Sequence, residues 1–299
     1  MRYVFLTGAG ASYGAGKLVP KPPPLGKYLF KELACRFSHS WGSLPNKYAM
    51  LLSKDFELGM ESVWTHRLDL VQRMMIDEAI YFSEFNPSLD NSDCYSRLVA
   101  AIVKERLVQD VAFATLNYDC VLDVAVCRNR LKVAYAGLPP TTNNILIWKL
   151  HGACNLLPAA HVYNMTIAAK SIFDGPIEPV DLPLVRKRYK GGLAIPPVMS
   201  VYMPEKPTQT VSRFLVQVRN EWAKWVGETD IVIVIGVRPL LAEEYIWQPI
   251  LDSSAKVWYI GGKDGDYRQF RDYLGARLTY VTSTFEEGIG QLIAGIRTM

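Results

Sequence analysis

Three short segments of this chain bring together residue types that do chemistry: Gly8-Ala9-Gly10-Ala11-Ser12, Thr115-Leu116-Asn117-Tyr118-Asp119 and His151-Gly152. The first follows the apolar run YVFLT. A strand that ends in closely spaced glycines can bring backbone amides against a diphosphate. The dinucleotide fingerprint is incomplete, because its third glycine position holds Tyr13. The P-loop also fails, with Ala11 where glycine is needed and Leu18 where Ser or Thr is needed. A tight turn after an edge strand accounts for the same glycines. Gly10-Ala11-Ser12-Tyr13-Gly14 further fits the nucleophile elbow of an acyl hydrolase, with Asp119 or Asp123 and His151 completing a Ser, Asp, His order. Only nine residues precede Gly10, which leaves no upstream oxyanion loop.

In the second segment Asn117 and Asp119 offer an amide and a carboxylate. Helix capping by Asp119 explains one of the two more easily than both. His151 can serve as a general base near neutral pH, although a lone histidine is often structural. His39, His66 and His161 form no HExxH or comparable pair, so no catalytic metal is expected.

These residues need a scaffold that sets them side by side. Residues 3–7, 111–117 and 145–152 read as strands ending in polar turns, and 119–127 as a short buried helix. Residues 26–109 read as mainly helical, with Leu29, Leu33 and then Leu68, Val71, Met74, Met75 and Ala79 at helical spacing. Ser92 or Asp93 can cap a helix running through Leu107. Residues 156–209 are rich in Pro and Gly and read as an irregular insertion, with the basic run Arg186 to Lys190 in a solvated loop. The C-terminal part alternates: helix 210–226, strand 230–236, helix 241–251, strand 256–262, helix 267–274, strand 277–282 and helix 284–297. Such alternation predicts an α/β fold, a parallel sheet with helices on both faces. Ligands bind such sheets beyond the carboxyl ends of the strands. GAGAS, NYD, HGACN, GVRP and GGKD would all converge there, which favours a nucleotide-sized ligand.

Composition narrows the classes. At 299 residues the chain can bury a large core without disulfides or metal. With 33 basic and 29 acidic residues the net charge is +4, too small to imply nucleic-acid binding. The five cysteines are odd in number and form no CxxC pair, which excludes a secreted disulfide framework. No apolar run reaches membrane-span length. A soluble, cytoplasmic protein is the expectation.

Taken in order, GAGAS, TLNYD and KLHG resemble the sirtuin superfamily, in which a GAG-Ser loop, an Asn/Asp segment and a His-Gly pair surround NAD in a Rossmann-like domain. Leu116 and Tyr118 replace the usual Gln and Ile, while Asn117 and Asp119 are kept. The NYD form looks like the divergent sirtuin-like NAD hydrolases of bacterial antiphage systems. DIVIVIGVRPLLAEEYIW resembles their later strand-loop-helix, with departures at Val237, Arg238 and Pro239. The four-cysteine zinc module of deacylating sirtuins has no counterpart, since only Cys154 falls between residues 152 and 230.

The resemblance implies one sirtuin-like NAD-binding domain spanning 1–299, with helical insertion 26–109 and irregular insertion 156–209. It implies an NAD hydrolase serving as a defence effector, with NAD as substrate and no zinc. Gly8, Ala9, Gly10 and Ser12 would cradle the diphosphate. Asn117 would orient the ribose or water, Asp119 the carboxamide, and His151 would be the base. Thr115, Gly236, Gly261 and Asp264 would complete the nucleotide site. A homo-oligomer or a regulatory partner protein is expected, since antiphage relatives are held inactive until assembled. A protein deacylase, an ADP-ribosyltransferase, a non-catalytic ADP-ribose sensor and a serine hydrolase using Ser12 are the competing functions.

Overall fold

The computed structural model describes residues 1–139, 144–159, 175–190, 194–203, 206–207 and 212–297. His161 and much of the segment 156–209 lie outside the described residues. The described strands are β1 (Tyr3–Thr7), β2 (Leu18–Val19), β3 (Asn86–Pro87), β4 (Val111–Thr115), β5 (Lys132–Tyr135), β6 (Asn144–Lys149), β7 (Leu156–Pro158), β8 (Ile177–Pro179), β9 (Ile231–Ile235), β10 (Lys256–Ile260) and β11 (Leu278–Thr282). YVFLT, VAFAT and IVIVI are buried at every position. Continuous apolar runs of this kind belong to strands covered on both faces.

They form the centre of a seven-stranded sheet in the order β11-β10-β9-β1-β4-β6-β5, parallel throughout. The register is level: Thr7 pairs with Thr115 and with Ile235, Thr115 with Lys149, and Ile235 with Ile260. Residues 8, 116, 150, 236 and 261 therefore leave the sheet along one edge. Strand order reverses between β1 and β9, and such a switch point opens a crevice at the carboxyl edge.

The helices are α1 (Ala9–Tyr13), α2 (Gly26–Arg36), α3 (Asn46–Lys54), α4 (Phe56–His66), α5 (Leu68–Phe82), α6 (Cys94–Lys104), α7 (Val121–Arg128), α8 (Leu182–Tyr189), α9 (Ser212–Gly227), α10 (Glu244–Asp252), α11 (Gly265–Leu274) and α12 (Phe285–Arg297). Tyr3 and Phe5 face one core with α5, α6 and α12, whereas Val4 and Leu6 face the other with α9, α10 and α11. Asp93 caps α6, accepting from Ser96 N at 2.9 Å.

Three sequence readings are corrected. The GAGAS turn is a helix start, because α1 begins at Ala9, and β1 is a central strand rather than an edge. The basic run is the helix α8, not a solvated loop. Arg188 is buried and donates to Pro158 O and Glu178, and Arg186 donates to Ser83 O. The edge strand β5 was not anticipated. Its KVAY sequence is half-exposed and too short to signal a strand.

Candidate functional site

A cleft of about 720 Å³ opens over the carboxyl edge of the sheet. Its floor comes from the loops after β1 and β9. Gly8 N donates to Ile235 O at 3.1 Å and Gly10 N to Gly236 O at 2.9 Å, so the two loops run backbone against backbone. Gly236 sits at φ +61°, and a Cβ there would lie 2.0 Å from Ala11 N. A Cβ on Gly10 would lie 2.8 Å from Gly236 O. Glycine is required at both positions because each backbone occupies the other's side-chain space.

Asn117 enters this floor from the loop after β4. Its Nδ2 donates to Gly8 O at 3.0 Å and to Ser12 Oγ at 2.9 Å. Both amide protons are thereby used, and Oδ1 is the amide's remaining polar atom. Thr115 Oγ1 accepts from Asn117 N at 3.1 Å. Thr115 is thus a buried support for Asn117 and is not part of the cleft wall.

Ser12 and Asp119 border a side recess of about 30 Å³ beside the cleft. Ser12 is 1% exposed, and its Oγ also lies 3.2 Å from the Tyr95 hydroxyl. This is not the projecting, base-activated hydroxyl of a nucleophile elbow, and the partners of His151 lie elsewhere. Asp119 Oδ1 accepts from Val121 N at 3.0 Å, so Asp119 does serve the start of α7. Burial raises its carboxyl, opposed by the Val121 amide, Lys149 and Ser12. Behind it, Lys149 and Asp123 form a buried ion pair at 2.6 Å. Tyr135 donates to Asp123 at 2.6 Å.

His151 lines the cleft at the turn after β6. Its Nε2 lies 2.8 Å from the Tyr245 hydroxyl and 3.5 Å from Glu243 Oε1. Lys206 Nζ reaches Glu57 at 2.7 Å and Glu243 at 3.7 Å. The Arg219 guanidinium lies 3.9 Å from the Tyr245 ring centroid. Burial lowers the His151 pKa, and Lys206 and Arg219 act the same way against the contribution of Glu243. Burial opposes ionisation of Glu243, but His151, Lys206 and Arg219 together outweigh it and hold this carboxyl below its usual value. The result is a neutral imidazole beside a carboxylate, which is the state a general base needs.

Gly261, Gly262 and Asp264 line the far wall after β10. Asp264 caps α11 through Tyr267 N at 3.0 Å and lies 3.5 Å from Arg238 Nε. Eight of the sequence-derived residues therefore meet at the cleft: Gly8, Ala9, Gly10, Asn117, His151, Gly236, Gly261 and Asp264. Glu57, Lys206, Arg219, Glu243 and Tyr245 were not foreseen. Glu243 and Tyr245 belong to the quoted GVRPLLAEEY stretch, but nothing in it separates them from ordinary helix-start residues. Lys206 lies in a Pro-rich stretch with no pattern to mark it.

A zinc module is tested by the donor set. Cys154 is buried with its sulfur 3.8 Å from that of Cys120, and no group of three or more metal-ligating side chains occurs among the described residues. The buried thiol pair does not fit a four-thiolate site. No described helix is long and apolar enough to cross a membrane.

No family model matches the sequence, and the search of curated proteins finds no match. Solved structures do match over nearly the full length. A sirtuin from a study of sirtuin substrate affinity is 13% identical with a TM-score of 0.50, covering 99% of this chain and 93% of that one. Sir2Tm bound to a propionylated peptide is 12% identical with a TM-score of 0.51, covering 99% and 92%. At such identities the likeness speaks to architecture, and this chain has a sirtuin-like fold.

Proposed function

We propose that this protein binds NAD in the cleft and cleaves its nicotinamide–ribose bond, with water as acceptor. The observation that carries the reading is the meeting of Asn117 and His151 over the interlocked Gly8–Gly10 and Gly236 loops. Backbone amides at a glycine turn opening a helix suit a diphosphate. Asp264 and the glycines beside it suit the adenosine half.

The leaving nicotinamide departs as a neutral ring from a cationic pyridinium, so the transition state is oxocarbenium-like. The site must hold the ribose and place an acceptor against its C1′ carbon. Asn117, with both N–H groups committed to the floor, presents Oδ1 to a ribose hydroxyl or to the attacking water. Neutral His151 takes the proton released as water adds. Asp119, beside the side recess, is suited to the carboxamide, from whose N–H groups its carboxyl can accept. The role of defence effector rests on the resemblance of the NYD segment.

The acceptor is the point to test. Purified protein is incubated with NAD, with and without an acyl-lysine peptide, and nicotinamide and ADP-ribose are followed. The reading predicts equal amounts of both products without peptide. Nicotinamide release only when peptide is added would make the protein a deacylase. ADP-ribose binding without turnover at any protein concentration would make it a nucleotide sensor.

A further inference from the structure

The residues behind His151 come from the start of α10 and its preceding loop, outside all three motif segments. Its Nε2 faces the Tyr245 hydroxyl at 2.8 Å and Glu243 Oε1 at 3.5 Å. A phenol can donate or accept, and an ionised carboxylate only accepts. Glu243 keeps its charge beside Lys206, 3.7 Å away, so a bare Nε2 lone pair would face a carboxylate at 3.5 Å, whereas an Nε2–H is attracted to it. Nε2 therefore carries the hydrogen, and the Tyr245 oxygen is then an acceptor toward the imidazole. Nδ1 has no hydrogen-bond partner among the described residues.

We infer that Glu243 and Tyr245 are positioning residues that hold His151 as its Nε2–H tautomer, leaving Nδ1 as the proton-accepting nitrogen. The catalytic part of this assignment rests on the NAD-cleaving reading; the tautomer does not. In the step concerned, Nδ1 takes one proton from water as its oxygen bonds to the ribose carbon and the nicotinamide bond breaks. The imidazolium so formed is balanced by Glu243. Lys206, 3.7 Å from Glu243 and 2.7 Å from Glu57, restrains protonation in the resting state. Arg219 over the Tyr245 ring acts alike. The other groups near this site are the phenols Tyr118, at a ring distance of 6.5 Å from His151, and Tyr202, which packs on Tyr118 and lines the same cleft. The arrangement is a carboxylate–phenol pair fixing one nitrogen so that the other can work, as a carboxylate does in a catalytic triad.

The test uses the full chain labelled with ¹⁵N-histidine, by NMR at neutral pH without substrate. The His151 signals are assigned by their loss in His151→Asn. Wild type is expected to carry its proton on Nε2, with Nδ1 unprotonated. Glu243→Gln replaces the carboxylate facing Nε2 by a neutral amide that can itself donate, so the Nδ1–H population should rise. The same variant should lower NAD turnover on the order of 10-fold, part of the range a general base supplies. It should also move the acid limb of the pH profile to lower pH, because the carboxylate that favours imidazolium is gone. Glu243→Asp should keep the wild-type tautomer. A wild-type Nδ1–H tautomer overturns the inference, and so does a Glu243→Gln spectrum and pH profile identical to wild type. If Glu243→Gln fails to fold, the wild-type tautomer decides alone. A protein with the Nε2–H tautomer that never cleaves NAD sinks the NAD reading but not this assignment.

Discussion

The Asn117 amide holds Ser12, its Nδ2 donating to Ser12 Oγ at 2.9 Å across 105 residues of chain. With its second donor on Gly8 O, this one side chain ties the loop after β4 to the loop after β1. Removing it leaves the Gly8 carbonyl and the Ser12 hydroxyl short of a donor. Asn117→Ala should therefore cost about 1–3 kcal/mol of stability as well as activity. Urea unfolding of the two proteins checks the first, and an unchanged midpoint would show that the tie is idle.

The interlocked glycines make a sharper structural prediction. Gly236→Ala puts a methyl 2.0 Å from Ala11 N at a backbone φ of +61°. The loops must separate or the chain must strain, at a cost of roughly 2 kcal/mol or more. Thermal unfolding should show this loss, together with weakened ADP-ribose binding. Gly290→Ala, outside the cleft and with nothing within 4 Å, is the control and should be close to neutral.

Glu78 governs part of the pH dependence of stability. It is 0% exposed, and neither carboxyl oxygen has a hydrogen-bond partner among the described residues. Burial, with Asp77 beside it, pushes its pKa up to about 8. The folded state therefore binds this proton more tightly than the unfolded chain does. Stability is full below the unfolded value near 4.5 and falls as pH rises toward about 8. Glu78→Gln should remove that fall and be the more stable protein at pH about 9, by on the order of 3 kcal/mol. His151, with its lowered pKa, acts in the opposite sense: its contribution is present above about 6.5 and is lost as pH falls. Denaturant titrations across pH, on wild type and Glu78→Gln, separate the two. Parallel curves for the two proteins would refute the assignment to Glu78.

Ser12 should be unreactive. It is buried, bonded to Asn117 and close to Tyr95 and Asp119, with no histidine among its partners. A fluorophosphonate should leave it unlabelled under conditions that label a serine hydrolase. Covalent labelling lost in Ser12→Ala would restore the hydrolase reading.

Much of this architecture was legible in the sequence because buried parallel strands carry unbroken apolar runs. YVFLT, VAFAT and IVIVI announce themselves, and the polar segments after them mark the ligand edge. Position put the glycines at 8, 10 and 236, with Asn117 and His151, at strand ends, and the family resemblance singled them out within those segments. What was hidden depends on distant chain meeting in space. Tyr245 reaches His151 across 94 residues and Lys206 reaches Glu57 across 149. Neither contact leaves a local pattern. The helix α8 was masked by flanking prolines and by a basic run in which Arg186 and Arg188 proved to be tied down while Lys187 and Lys190 stay exposed. Thr115 was drawn into the nucleotide site by the motif segment it opens, yet its hydroxyl accepts from Asn117 N.

The central claim is that Asn117 and His151 act together on one NAD molecule in this cleft. Its most direct test is nicotinamide release from NAD by wild type, Asn117→Ala and His151→Ala, with ADP-ribose affinity measured for each. Steady release by wild type is predicted, falling on the order of 10²-fold or more in both variants while His151→Ala still binds ADP-ribose. Release that survives either substitution, or a folded wild type that neither binds nor cleaves NAD, would contradict the account.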